Sequence, residues 1–411
     1  MEQIHERVAG LDVHRDSVAA CARVPGQRRD IVTRKQRFAT TSRGLGGLAA
    51  WLGEQAVSVV GMEATGVYWK PVYYALEDRF QVWLCNAHHV KNVPGRKTDM
   101  SDAEWLADVV AHGMVRPSFV PPPPIRELRD LTRYRKRQVD MRAAEVQRLE
   151  KVLQDAGVKL SSVASEVLSV SGRKMIEALI AGHRDSAVLA QLAIGRMRNK
   201  LPALADALHG HFGAHHAVAA RQILDHIDFL DARILVVSEQ VASRMQPFTA
   251  AVELLIEVPG LNQRSVEVVL AETGGDMSRF PSPAHLASWA GLCPGNYESA
   301  GKRKRVGTTN GSPWLRRTLI ECARAAARTK ASYFAAQYRQ IAHRRGPNKA
   351  AVAVAHSLIE VIWHLLATGG RYTDLGVDYY QRRRDPERET RRLLRQLEQL
   401  GHTVTLTPAT R

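Results

Sequence analysis

The sequence predicts an α/β region at the N-terminal end and an all-α remainder. Three observations carry that prediction. Apolar runs of strand length, bounded by turn residues, are confined to the chain before Asn86. Three such runs follow one another and then alternate with helical patterns, the order of a mixed sheet with helices packed on it. From Ile125 onwards apolar residues recur at spacings of three and four over long stretches, the period of helices.

Taken in order, Val8–Val13 is a short apolar run interrupted by an acid, and Ser17–Val24 can pair with it before the Pro25-Gly26 turn signal. A third strand fits Asp30–Phe38. Thr41–Glu54 reads as a helix with Leu45, Leu48 and Leu52 on one face. Ser58–Met62 is a buried strand that ends at Glu63, and Gln81–Cys85 is another. Ser101-Asp-Ala-Glu104 has the spacing of a capping box ahead of Trp105–Val110, so a helix is expected to start there and reach about His112.

Pro121–Pro124 is a stiff break. Ile125–Ala156 is a long helix with Leu128, Leu131, Leu149 and Leu153, studded with arginines. His216–Met245 is a second, with Ile223, Ile227, Leu230, Ile234, Val237, Val241 and Met245 in its stripe. This spacing predicts coiled-coil packing, antiparallel or between subunits. After Gln246-Pro247, Leu254–Thr273 reads as helix, Pro259-Gly260 turn, helix. Ser312–Arg345 and Lys349–Thr368 read as one helix each, and the charged tail from Arg371 has a helix over Glu389–Leu400. The domains expected are 1–157 (mixed sheet, with the long helix running out of it), 158–247 (helical, coiled coil), 248–370 (helical) and a tail, 371–411.

The 411 residues carry 58 Lys+Arg against 41 Asp+Glu, a formal charge of +17, and the basic residues cluster. That balance points to a polyanion, because basic side chains release counterions from a phosphate backbone. Arg133, Arg135, Lys136 and Arg137 are the candidate nucleic-acid contacts on the long helix. No uninterrupted apolar run reaches the roughly 18 residues of a spanning helix, and no signal-peptide pattern follows Met1–Arg7. The four cysteines, Cys21, Cys85, Cys293 and Cys322, are far apart, which fits buried thiols in a reducing cytoplasm rather than disulfides or a zinc ribbon.

Four acids stand out by position. Asp12 sits at the end of the first strand and Glu63 ends a later one. Asp99 and Asp102 lie three apart at the entrance of a helix. Hard divalent ions such as Mg²⁺ take oxygen ligands and keep several waters, so a few carboxylates suffice. Two such ions can stabilise the attacking and leaving oxygens of a phosphodiester. Each acid taken alone reads as a cap or a solvated charge; it is the order of the four that points to a metal site.

Gly-Leu-Asp-Val-His (10–14), Met-Glu-Ala-Thr-Gly (62–66) and Lys-Thr-Asp-Met-Ser-Asp-Ala (97–103) resemble the DEDD motifs of a large class of bacterial insertion-sequence transposases, the bridge-RNA-guided recombinases. The resemblance runs from about residue 7 to 368. It implies an N-terminal RNase H-like domain similar to the junction resolvase RuvC, with Asp12, Glu63, Asp99 and Asp102 binding Mg²⁺ or Mn²⁺. It also implies a homo-oligomer, dimer or tetramer, acting on DNA with a structured guide RNA.

A second constellation is Gly295-Asn-Tyr-Glu-Ser-Ala-Gly-Lys-Arg-Lys-Arg-Val-Gly307, followed by Pro313-Trp-Leu-Arg-Arg317. Ser299 beside glycines and the cations Lys302, Arg303, Lys304 and Arg305 suits a phosphate. A serine hydroxyl needs a base or a metal to act as nucleophile. From the residues alone, a basic loop that only grips backbone phosphate is the other reading. Trp289–Pro294 and Glu298–Lys302 resemble the C-terminal transposase domain of the same family. That resemblance makes Ser299 the nucleophile of a composite site, with carboxylates and serine from different subunits. Where family members commonly carry a basic residue, this chain has Thr308-Thr-Asn-Gly311. Val258-Pro-Gly-Leu261 resembles a helix-hairpin-helix turn whose amides bind phosphate, with Asn262 in place of the second glycine. His209, His211, His215 and His216 crowd one segment with no acid pattern beside them. There is no Gly-x4-Gly-Lys-Ser/Thr loop and no dinucleotide fingerprint.

Overall fold

The computed structural model describes residues 3–26, 30–64, 66–86, 90, 102–295, 298–299, 302–303, 307–383 and 385–406; at 298–299, 302–303, 386 and 389 it describes the backbone only. The chain divides into two compact units, Met1–Val120 and Pro121–Arg411.

The first unit is a five-stranded mixed sheet. Its strands are β1 (Val8–Val13), β2 (Ser17–Pro25), β3 (Ile31–Ala39), β4 (Val59–Glu63) and β5 (Gln81–Cys85), in the order β3-β2-β1-β4-β5. β1, β2 and β3 form an antiparallel meander, and β1, β4 and β5 run parallel. The parallel pairs need crossovers, and helices supply them. Helix α1 (Ser42–Glu54) is capped by the Thr41 side chain, which accepts the Gly44 N–H, and it buries Leu45, Leu48 and Leu52 as the sequence predicts. Helix α2 (Trp69–Leu76) is too short to show a period in the sequence and buries Val72 and Leu76. Both cover one face of the sheet, with Ala9, Leu11, Val13, Val60 and Met62 beneath them. Helix α3 (Asp102–Ala111) covers the other face, over Val8, Val59 and Cys85. The cap expected at Ser101 lies outside the described residues.

The second unit is helical apart from one small hairpin. Helix α4 (Pro123–Asp155) starts with proline in its first turn, where the missing N–H costs nothing. It packs along α9 (Ala214–Met245) and against α11 (Gln263–Thr273). α4 therefore belongs with the second unit, and the contact division falls at Val120/Pro121, ahead of the helix that the sequence carries in the first domain to residue 157. Between α4 and α9 lie four short helices, α5 (Leu160–Val163), α6 (Val170–Ile180), α7 (Ser186–Ala190) and α8 (Leu201–Ala207). They share a core with the adjoining ends of the long pair, among them Leu149, Leu153, Met175, Leu179, Leu204 and Leu224.

α10 (Thr249–Ile256), α11, α12 (Pro283–Trp289), α13 (Pro313–Ala326), α14 (Tyr333–Arg345) and α15 (Pro347–Thr368) complete the body. The sequence reads Ser312–Arg345 as one helix, but the structure breaks it. Ala331 has φ +58°, and Ser332 turns its hydroxyl onto the Ala335 N–H as a new N-cap, so α14 starts afresh. By length and composition α15 could cross a membrane, which the sequence reading did not expect. It packs instead against α12, α13 and α14, burying Val354, Leu358, Ile359 and Ile362. Two short helices, α16 (Tyr379–Arg382) and α17 (Pro386–Gln399), end the described chain.

Candidate functional site

The carboxylates of the first unit are placed by strand alternation. Side chains on a strand alternate between faces. With Ala9, Leu11 and Val13 facing α1 and α2, Val8, Gly10 and Asp12 face α3. On β4 the same rule sends Val59, Gly61 and Glu63 to the α3 face. β1 and β4 are parallel neighbours with Leu11 opposite Met62, so Asp12 and Glu63 follow at the carboxyl ends of adjacent strands.

α3 lies directly on the two glycines. A Cβ on Gly10 would stand 2.1 Å from the Ala103 carbonyl oxygen and 2.5 Å from the Ala107 nitrogen, and one on Gly61 would stand 2.6 Å from Val110 Cγ2. Arg23 pairs with Asp108, and Lys35 Nζ reaches Glu104 Oε2 at 2.6 Å, tying α3 to β2 and β3. The Glu104 hydrogen bond raises the Lys35 pKa. Because Ala103 sits over Gly10, Asp102 enters the helix near the end of β1 that bears Asp12. Asp12 and Glu63 thus end adjacent strands, and Asp102 opens the helix laid across them; Asp99 lies outside the described residues.

Asp12 Oδ2 is 3.0 Å from His14 Nε2. Cys85 pairs with Glu63 on β5, and burial, with that carboxylate beside it, pushes the thiol up to about 12. The three acids offer only oxygen donors, the kind a hard divalent cation takes, but among the described residues the group whose ligand atoms lie within 4.8 Å of one another is Asp155, His215 and His216, not these three. Gly10→Ala tests the geometry with the acids intact. The helix must lift or the strand must bend, so a loss of about 1–3 kcal/mol is expected by urea unfolding, together with lost strand cleavage. Cleavage at the wild-type rate would show that the seat of α3 does not set the site.

In the second unit, Ser299 is carried on a hairpin. β6 (Glu298–Ser299) pairs antiparallel with β7 (Lys302–Arg303), with Ser299 opposite Lys302. Tyr297, Lys304 and Arg305 lie outside the described residues. The base of the arm is pinned: the Gly295 N–H donates to Gly307 O at 2.8 Å, the Thr309 N–H donates to Cys293 O at 3.0 Å, and Thr308 bridges Pro294. Below this the chain crosses itself at two glycines. Gly291 has φ +70°, and a Cβ on Gly311 would stand 2.2 Å from the Gly291 nitrogen. The Thr308-Thr309 departure therefore falls in the return limb of the arm, where Thr308 makes an isolated bridge and Thr309 a single backbone hydrogen bond.

Next to this limb, a groove of about 710 Å³ is lined by Asn310, Gly311, Arg316, Arg317 and Arg324. Arg316 Nε is shut off from solvent without a hydrogen-bond partner. A buried guanidinium N–H without a partner is costly, and the rest of the Arg316 guanidinium lines the groove. Sequence reasoning missed Arg316 because a Leu-Arg-Arg run looks like any basic helix start.

The basic helix is corrected. Arg133 forms a two-pronged pair with Glu272, at 2.7 and 2.8 Å, and Arg135 Nη2 reaches Glu267 at 2.5 Å with both side chains almost fully buried. Lys136 Nζ lies 3.3 Å from Glu321. Three of the four expected phosphate contacts are thus held by carboxylates across the α4–α11–α13 packing. Arg137 is exposed, its guanidinium 5.5 Å from the centre of the Trp314 ring. Glu272 is wholly buried and also accepts from Ser312 Oγ at 3.0 Å. Removing one partner of a buried pair strands the other. Glu272→Ala is expected to cost about 3 kcal/mol of stability by urea unfolding, whereas a loss under about 1 kcal/mol would make this a surface-type pair.

The expected helix-hairpin-helix turn is also corrected. Gly260 is seated on α13, where a Cβ would stand 2.4 Å from Cys322 O. The Leu261 N–H donates to Val258 O and the Asn262 N–H to Ser265 Oγ, so two amides that such a turn would offer phosphate are taken. The histidines do have an acid: Asp155, His215 and His216 place ligand atoms within 4.8 Å of one another. Both ring nitrogens of His216 are engaged, Nδ1 by the Gly213 N–H and Nε2 by Asp155, each at 3.0 Å. That fixes the start of α9. The sixty-residue separation of Asp155 from His216 hid the pairing in the sequence.

Comparison with known proteins bears on both regions. The family model for the transposase of the DEDD type of IS110 elements matches residues 9–157. The model for the transposase IS116/IS110/IS902 family matches residues 252–339. The chain is similar to the transposase for insertion sequence element IS1111A of Coxiella burnetii, with 25% identity over 378 residues, covering 89% of this chain and 91% of that protein. It is also 32% identical over 123 residues, 29% of this chain and 32% of the relative, to the "Putative transposase y4pF/y4sB" of Sinorhizobium fredii. The two family matches together take in more than half of the chain, one over the strand-end acids and the other over the serine arm, and the chain belongs to the IS110/IS116/IS902 family of transposases, enzymes that cut and rejoin DNA.

Proposed function

We propose that this transposase cuts and rejoins strands at the ends of its element and at the target through a covalent ester between Ser299 and DNA. Asp12, Glu63, Asp99 and Asp102 hold Mg²⁺ or Mn²⁺, and a structured RNA selects the sites. What supports the reading is that Asp12 and Glu63 end adjacent strands under the helix that Asp102 opens, in a chain that also carries Ser299 on a pinned basic arm.

When bound, the ion would lower the cost of charge on the reacting oxygens. The chain's own residues do the rest. Ser299 gives up its hydroxyl proton, and Oγ forms a bond to phosphorus. The bond from phosphorus to one neighbouring nucleotide breaks, and the freed hydroxyl takes a proton. Rejoining reverses this: a strand hydroxyl attacks the ester and Ser299 recovers its proton, with no ATP. Lys302, Arg303, Lys304 and Arg305 oppose the negative charge that builds on the phosphoryl oxygens, and Arg316, which lines the adjoining groove, presents its positive charge to a neighbouring phosphate. Of the four candidate cations Arg133, Arg135, Lys136 and Arg137, Arg137 has no carboxylate partner among the described residues and is exposed. The reading includes a homo-oligomer in which serine and carboxylates come from different copies.

The test is incubation of the purified chain with Mg²⁺, element-end DNA and the RNA transcribed from the element's flank, resolved on a denaturing gel. Recombinant strands that need both metal and RNA are expected. Products formed equally well without RNA would remove the guide from the reading, and free ends alone would leave a metal-dependent nuclease.

A further inference from the structure

The basic residues of α4 are largely spent on internal carboxylates, which leaves open where the positive charge of this chain meets phosphate. A groove of about 1360 Å³ between α14 and α17 answers the question. One wall carries Arg339 and Arg344, and the other Arg388, Arg391, Arg392 and Arg395. The spacing of the latter, i, i+3, i+4 and i+7, puts all four on one face of α17. Among the described residues no carboxylate stands within ion-pair distance of Arg339, Arg344, Arg388, Arg391 or Arg395. Asp385, an acid at the rim, is occupied in capping α17, where it accepts the Glu387 and Arg388 N–H groups at 3.0 and 3.4 Å.

Guanidiniums gathered in one concavity repel each other unless an anion fills it. On α4 the fold supplies that anion from within, as Glu272, Glu267 and Glu321; between α14 and α17 the one acid that lines the groove among the described residues is Asp385, which is turned to the helix cap. Exposed arginines on a helix face are also what a phosphodiester backbone recruits, since each contact releases condensed counterions. We propose that this groove is a second DNA site, separate from the serine arm, that grips the backbone of duplex DNA without reading its sequence. The inference rests on the chain being a DNA-acting enzyme, but its test needs no catalysis.

Two variants probe the two walls: Arg388→Gln/Arg391→Gln/Arg395→Gln on α17, and Arg339→Gln/Arg344→Gln on α14. Binding of a fluorescein-labelled DNA duplex of arbitrary sequence is followed by anisotropy in EDTA over a range of salt, with an RNA duplex of the same sequence in parallel. The slope of log K against log salt should fall by roughly 3 for the first variant and roughly 2 for the second, whatever the DNA sequence. Far-ultraviolet circular dichroism should stay at wild-type values. The α14 variant keeps the test alive if α17 unravels, because Phe334 and Ala335 anchor α14 in the core. Unchanged slopes on DNA in both variants overturn the inference. A loss confined to the RNA duplex also overturns it and assigns the groove to RNA. A wild-type chain that binds no DNA would instead sink the reading under Proposed function, so the two failures are distinct.

Discussion

Ser299→Ala is expected to abolish both the protein–DNA adduct and the recombinant product while DNA binding and folding persist. Loss of a nucleophile that acts with a supporting site costs on the order of 10³-fold or more in rate. The strand that carries the hydroxyl is held by backbone pairing to Lys302–Arg303, which the substitution leaves in place. The competing nucleophile is Tyr297, two residues away, and Tyr297→Phe should keep the adduct. The measurement is mass spectrometry of trapped, nuclease-trimmed complexes, mapping the peptide that carries a nucleotide. A nucleotide on Tyr297, or undiminished recombination in Ser299→Ala, would sink the serine mechanism and promote a metal-only nuclease.

Asp12→Asn, Glu63→Gln and Asp102→Asn should each remove strand cleavage, again by about 10²–10³-fold or more, the scale of a lost electrostatic contribution to a phosphoryl transition state. Without metal each variant should be as stable as the parent or more so, since like charges at one sheet edge repel. With metal the order reverses. An ion bound at 100 times its dissociation constant stabilises the native state by about 2.7 kcal/mol. Mg²⁺ should therefore raise the Tm of the parent and leave the variants where they were, a readout that needs no substrate. Full cleavage by an Asp12/Asp102 double variant would remove the carboxylates from the mechanism.

Much of the first unit was legible because its signals are local. The runs Val8–Val13, Val59–Glu63 and Gln81–Cys85 are short, apolar and ended by polar or turn residues, and the structure makes each a strand. The placement of Asp12 and Glu63 at the ends of strands and of Asp102 at a helix start was legible as an order of motifs. The reason for it was not, because the seating of α3 on Gly10 and Gly61 is a contact between backbones that no side-chain pattern announces. In the second unit, a run of arginines reads alike whether it faces phosphate or glutamate. Arg135 and Glu267 are 132 positions apart, and only the tertiary fold pairs them. The α13–α14 break was missed for a related reason: Arg328–Ser332 has good helix formers and lacks glycine and proline, and the turn depends on Ala331 tolerating a left-handed backbone. The hairpin bearing Ser299 escaped because a two-residue strand is below the length at which alternation can be read.

The pinned base of that hairpin makes the serine a ruler. The Gly295–Gly307 hydrogen bond and the Gly291–Gly311 crossing fix where the arm leaves the body. Four residue steps separate Gly295 from Ser299, and a fully extended chain spans at most about 3.6 Å per residue, so the Ser299 backbone stays within roughly 14 Å of the anchor however the arm moves. On the proposed serine mechanism, any phosphate that Ser299 attacks must be brought inside that radius, and the burden of alignment falls on whatever holds the DNA. Lengthening the arm by a residue pair on each limb would enlarge the radius by about 7 Å and could move the cut to a different phosphate without touching a catalytic group.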